Sequence, residues 1–130
     1  MRKIKFRTWD KKKKKMIYPE FLVENDYGVL IPAFSAGDWY HGYYIDEHIY
    51  YKNQNDIEIM QYTEKQDKTG KGIYEGDICK IEFSKNETPY IGEVKFVNGK
   101  WMLGNTELFM RSHNCEVIGN VYENTELLKK

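Results

Sequence analysis

The chain has 130 residues, 41% hydrophobic and 31% charged, with 20 lysines plus arginines against 20 aspartates plus glutamates. Zero net charge leaves no bulk attraction to nucleic acid or an anionic membrane, although a local patch stays open. Aromatics reach 15%, with 11 tyrosines, which excludes a disordered chain and favours β structure.

Residues 3–9 read Lys-Ile-Lys-Phe-Arg-Thr-Trp. Ile4 and Phe6 fall on one face and Lys3, Lys5 and Arg7 on the other, the pattern of a strand with one wet side. Asp10 and the run Lys11, Lys12, Lys13, Lys14 and Lys15 precede Met16-Ile-Tyr, so a hairpin with a lysine-rich tip is predicted. Residues 19–42 are irregular apart from a short strand at Val29-Leu-Ile, before Pro32. Residues 43–51 alternate as one strand, and Glu47 interrupts its apolar face and marks an edge. The next strand starts at Ile57.

From Met60 to Asp77 the chain is rich in turn signals. Asp67 and Gly70 occupy the first and fourth positions of a type I turn. Residues 77–83 then read as a strand with Cys79, Ile81 and Phe83 on the inner face. Residues 84–89 are a loop. Residues 91–97 and 100–103 flank Asn98-Gly99, the dipeptide of a type I′ hairpin turn. That turn fixes the register, setting Phe96 opposite Trp101 and Val94 opposite Leu103 on one face. The last strand starts at Cys115, and Asn124 is read as the N-cap of a short helix through Leu127 and Leu128.

These elements predict a mainly β protein. Residues 1–62 form an N-terminal β-hairpin and meander layer with a variable loop region at 19–56. They are expected to pack on a small SH3-like barrel, residues 63–130, that ends in a short helix. The two parts are either domains or one compact unit.

Chemistry is sparse. Arg7, Trp9 and Lys11–Lys15 are the candidate nucleic-acid contacts, since lysines at a loop tip neutralise phosphates; the plainer reading is a solvated tip that discourages edge pairing. Trp9, Tyr44, Tyr50, Tyr62, Tyr74 and Tyr90 could stack bases, yet tyrosines also populate protein interfaces. His41, His48 and His113 are scattered. His48 shares a strand face with Asp46, but no third ligand has metal spacing. Asp67, Glu75 and Asp77 cluster where carboxylates serve turns by bonding their own backbone. Cys79 and Cys115 form no CxxC pair and read as free, buried, small hydrophobes. No nucleophile, phosphate-loop or dinucleotide motif is present, so neither a catalytic residue nor a cofactor or metal is expected. No apolar run is long enough to cross a bilayer and no signal-peptide core precedes the first strand, which sets a cytoplasmic expectation with no membrane partner.

Three blocks resemble the YopX family of small proteins encoded by bacteriophages and prophages. They are Ile4-Lys-Phe-Arg-Thr-Trp-Asp with Lys15-Met-Ile-Tyr, then Met60-Gln-Tyr-Thr with Asp67-Lys-Thr-Gly-Lys-Gly-Ile-Tyr-Glu-Gly-Asp, and Val117-Ile-Gly-Asn-Val-Tyr-Glu-Asn with Glu126-Leu-Leu. Gly72 stands where the family has a larger residue and Cys79 where an aliphatic one is usual. The resemblance implies a mostly β protein of phage origin in a bacterial host, and no established reaction. The expectation is therefore a non-enzymatic protein-interaction module that self-associates and binds a host or phage protein. The alternative is a nucleic-acid-binding accessory protein using the lysine loop and exposed aromatics.

Overall fold

A computed structural model describes residues 5–18 and 57–129 in full and, between them, the backbone of four strands. The chain divides into two compact units, Lys5–Met60 and Gln61–Lys130. Both are built from antiparallel strands, and the protein is mainly β.

In the first unit, β1 (Phe6–Asp10) and β2 (Lys15–Ile17) form the expected hairpin, with Thr8 opposite Ile17 and Asp10 opposite Lys15. Asp10 shapes its tip. One carboxylate oxygen accepts the backbone N–H groups of Lys12 and Lys13 at 3.0 Å each. The one-side-wet reading of β1 does not hold: Arg7, Thr8, Trp9 and Asp10 are all buried. β1 is an inner strand, with β2 on one side and β7 (Ile57–Gln66) on the other, and the burial of successive residues shows that both of its faces are covered as well.

A second sheet of this unit has the order β3-β4-β6-β5, with β3 (Phe21–Glu24), β4 (Leu30–Ser35), β5 (Gly42–Ile45) and β6 (His48–Tyr51). Two expectations are corrected here. Residues 19–42 contain two strands, because Phe21-Leu-Val and Leu30-Ile-Pro-Ala-Phe are continuous apolar runs that show no alternation. Residues 43–51 hold two paired strands, with Tyr43 opposite Tyr50 and Tyr44 opposite Ile49; alternation that continues from one strand into the next reads as one strand.

The second unit is an SH3-like half-barrel. The end of β7 pairs with β8 (Gly72–Tyr74). A five-stranded sheet follows, ordered β12-β11-β10-β9-β13, from β9 (Asp77–Ile81), β10 (Tyr90–Val97), β11 (Lys100–Leu103), β12 (Thr106–Glu107) and β13 (Cys115–Asn120). A one-turn helix, α1 (Leu108–Arg111), connects β12 toward β13. Ile73, Cys79, Ile81, Val94, Leu103, Leu108 and Cys115 form the core, with Tyr90, Trp101 and Val117 packed against it.

The hairpin register is the expected one: Phe96 faces Trp101 and Val94 faces Leu103. Asn98 and Gly99 carry φ of 51° and 79°, as a type I′ turn requires. The four residues share a face but not an environment. Val94 and Leu103 are fully buried, whereas Phe96 is 55% exposed, because the hairpin projects past the core. Phe83, expected inside with Cys79 and Ile81, is 51% exposed. β9 ends at Ile81, so the alternation stops, and Phe83 instead lies beneath the Arg111 guanidinium at 5.5 Å. The C-terminal helix is a single 3-10 turn, Thr125–Leu128, and Asn124 does not cap it with its side chain. Its Oδ1 turns back to accept the Asn120 N–H at 3.1 Å.

The open seam of the C-terminal half-barrel

The turn after β7 is closed around one carboxylate. Asp67 Oδ1 accepts the Thr69 N–H (2.8 Å), the Thr69 hydroxyl (2.6 Å) and the Lys71 N–H (3.0 Å). Its Oδ2 accepts the Val117 N–H on β13 at 2.9 Å. The Gly70 N–H donates to the Asp67 carbonyl at 3.0 Å, which completes the type I turn, and the Lys68 N–H donates to the Cys115 carbonyl at 2.9 Å. The turn thus lies along the outer edge of β13 and occupies its outward backbone groups. Burial pushes the Asp67 carboxyl up, but hydrogen bonds from the Thr69 hydroxyl and the N–H groups of Val117, Lys71 and Thr69 outweigh it and hold the pKa below its ordinary value. Asp77 Oδ2 accepts the Tyr74 N–H at 2.8 Å and Glu75 Oε1 the Gln61 N–H at 3.4 Å. Asp67 and Asp77 bond the backbone of their own turns, whereas Glu75 reaches across to β7 and Asp67 also to β13.

The opposite side of the half-barrel is open. A cavity of about 390 Å³ lies between the end of β7 and the β11-β12-α1 segment, lined by Thr63, Lys65, Lys100, Trp101, Glu107, Leu108 and Phe109. Its apolar wall is Trp101, Leu108 and Phe109. Leu108 is buried, while Phe109 is 64% exposed. Trp101 also meets Phe96 edge-on, with ring centroids 4.9 Å apart. At the rim, Lys100 Nζ binds Glu107 Oε1 at 2.7 Å. The opposite lip is a bulge. β7 pairs Tyr62 with Tyr74 and then Gln66 with Gly72, so extra residues loop out. Glu64 takes φ 70° there. The Thr63 hydroxyl donates to the Ile73 carbonyl at 2.8 Å and accepts the Lys65 N–H at 3.2 Å, filling ladder positions that the bulge vacates. Such bulges re-aim side chains, and here Thr63 and Lys65 both line the cavity.

The residues singled out from the sequence separate into different places. Lys11–Lys15 are exposed on the β1–β2 turn, and Lys11 pairs with Glu58 at 3.0 Å. Arg7 and Trp9 are buried beside them in sequence. Tyr62 is buried and Tyr74 half-buried, their ring centroids 5.3 Å apart; Tyr90 packs on the core and its hydroxyl accepts the Asn105 N–H at 2.8 Å. The side chains of Tyr44, Tyr50, His41, His48 and Asp46 lie outside the described residues. His113 is exposed in a 3-10 turn, Ser112–Asn114. Among the described residues no group of three His, Cys, Asp or Glu side chains is placed to hold a metal, and no helix is long and apolar enough to cross a membrane.

Cys79 and Cys115 are both fully buried and not disulfide-bonded. Their proximity was missed in the sequence, where they stand far apart; the β9–β13 register, Cys79 opposite Val117 and Cys115 opposite Ile81, brings them onto neighbouring strands. A hydrogen bond to the Cys115 thiol, then burial, push the Cys79 thiol well above its ordinary range, which disfavours its thiolate form. The seam residues Trp101, Leu108 and Phe109 were also missed. Leu108 and Phe109 carry only the signal of an apolar cluster, Leu108-Phe109-Met110, and Trp101 that of an inward strand position, and both read as core.

Solved structures resemble this one, two of them over almost the whole chain. Protein EF1440 from Enterococcus faecalis superposes with a TM-score of 0.67 at 22% identity, over 99% of this chain and 100% of that one. Protein yopX from Bacillus subtilis gives 0.70 at 25% identity, over 96% of this chain and 98% of that one. No curated protein matches the chain. The family described as YopX protein matches residues 5–129; with nearly the whole length covered and the fold shared, the chain belongs to the YopX family.

Proposed function

We propose that the protein is a non-enzymatic protein-interaction module of phage or prophage origin, acting in the cytoplasm of a bacterial host and associating with itself. One observation carries this reading: large apolar side chains gather in the open around the seam. Phe96, Val97, Phe109 and Met110 are each 44–64% exposed, beside the partly exposed Trp101. Aromatic and methionine side chains of this kind are enriched in interface cores, and Trp101 links two of them, meeting Phe96 edge-on and sharing the cavity wall with Phe109. Zero net charge provides little repulsion to keep copies apart. The test is sedimentation velocity across the micromolar range. Mass should rise with concentration, and Phe96→Asp with Phe109→Asp should return the protein to a monomer. A wild-type chain that stays monomeric throughout removes the self-association reading.

A second reading, contact with nucleic acid, is favoured by the five consecutive exposed lysines of the β1–β2 tip. Replacing Lys11–Lys15 with serine should then weaken retention of labelled DNA or RNA on a filter and flatten its salt dependence. Unchanged retention eliminates this reading.

A further inference from the structure

We infer that the seam cavity is a binding site for a small, flat aromatic molecule carrying one anionic group. The volume, about 390 Å³, falls in the range of ligand sites, which are mostly apolar with a few placed polar groups. Here the apolar part is Trp101, Leu108 and Phe109. Two rings and an isobutyl group offer flat, polarisable surface against which another ring stacks.

The charge of the lining sets the second requirement. Among the described lining residues, Lys65 and Lys100 stand against one acid, Glu107, an excess of one positive charge. Lys100 already holds Glu107 at 2.7 Å. Among the described residues the Lys65 ammonium has no ion-pair partner. An anionic substituent on the ligand would supply it, while the ring occupies the apolar wall.

The bulge is an independent sign that this lip is specified. A regular β7 would continue its ladder with β8. Instead Glu64 adopts φ 70°, a conformation that disfavours a non-glycine residue by about 1–2 kcal/mol. The Thr63 hydroxyl makes up the missing backbone contacts. The result is that Lys65 faces the cavity. Strained backbone of this sort collects at ligand sites.

This inference does not rest on self-association, although Phe109 borders both surfaces. Its test is amide NMR titration of the full chain with four probes: 2-naphthoate, the neutral 2-naphthalenemethanol, the cationic 2-naphthylmethylammonium, and adenosine 5′-monophosphate. Sedimentation is read on the same samples, which separates loss of binding from loss of association. Shifts should concentrate at Thr63, Lys65, Trp101 and Phe109. Naphthoate should bind more tightly than the alcohol, and the ammonium should not bind. Lys65→Gln should weaken naphthoate about fivefold at low salt while leaving the alcohol unchanged, and Lys65→Arg should restore it. Phe109→Ala should weaken both about tenfold. Both side chains are exposed, so the variants should fold. Tighter binding of the nucleotide than of naphthoate would assign a phosphate-bearing source, and the reverse a carboxylate-bearing one. The inference is overturned if no probe shifts the lining residues at millimolar concentration, if the alcohol binds as tightly as naphthoate, or if Lys65→Gln weakens both equally.

Discussion

At the β13 edge of the five-stranded sheet, the Val117 N–H and the Cys115 carbonyl are taken up by the turn at residues 67–71. At the other edge, β12 is two residues long and opens onto a cavity rimmed by Lys100, Glu107 and Phe109. The contrast runs against what the residue types suggest. The turn carries aspartate, threonine, two lysines and one glycine, the composition of a polar site, and its buried aspartate is consumed by structure. The seam carries tryptophan, leucine and phenylalanine, the composition of a core, and part of it faces solvent. An edge covered by a charged turn is protected from pairing with another chain. An edge left short beside an apolar cavity is available for contact.

The largest effect should come from breaking the closed edge. Asp67→Ala removes the acceptor of four hydrogen bonds and leaves the Val117 N–H unsatisfied, so urea unfolding should show a loss of about 3 kcal/mol. Its pH dependence has a fixed sign. The folded-state pKa of Asp67 lies below the ordinary 3.8, so its contribution is present above that value and disappears as pH falls toward the folded pKa. The stability gap between wild type and Asp67→Asn should therefore be constant near neutrality and shrink below about pH 4. A gap that widens in acid contradicts this account.

Gly104→Ala should rank next, near the open edge. A methyl group there would overlap the Tyr90 hydroxyl, and φ 57° disfavours any side chain. A loss of about 2 kcal/mol in thermal or urea unfolding is expected. A neutral result would mean that Tyr90 gives up its bond to the Asn105 N–H without consequence.

Gly99→Val strains the hairpin tip at φ 79° and should destabilise by about 1–2 kcal/mol. The smallest effect is expected at the seam itself. Phe96→Ser removes a half-exposed ring and its edge-on contact with Trp101. It should change stability by no more than about 0.5–1 kcal/mol while altering sedimentation. A large stability loss there would show that the seam belongs to the core, erasing the contrast between the two edges.

The sequence made one half of this contrast legible. Asp67-x-x-Gly70 specifies a turn from local chemistry alone, and Asn98-Gly99 specifies a register to the residue. What it could not carry is where the core stops. Phe83, Phe96 and Phe109 alternate or cluster as buried residues do, and their exposure depends on β9 ending at Ile81 and on the hairpin projecting past Val94. Arg7 shows the reverse error: a charged residue in an alternating strand is buried because both faces of β1 are covered, which alternation alone does not reveal. The bulge at Glu64 and the approach of Cys79 to Cys115 are long-range matters of strand register, which no local pattern encodes.

The bond from the Val117 N–H to Asp67 joins residues 50 positions apart, and this places a condition on when the second unit can finish forming. As the chain leaves the ribosome, the 67–71 turn emerges long before the strand it must cover. Through that interval the aspartate can organise its own turn but has no distant partner. Closure of the sheet therefore waits until Cys115–Asn120 has been made. Contacts of such sequence separation slow folding, and the unfinished barrel holds its apolar interior open meanwhile. A chain truncated before Val117 should therefore never close, however well its earlier turns form.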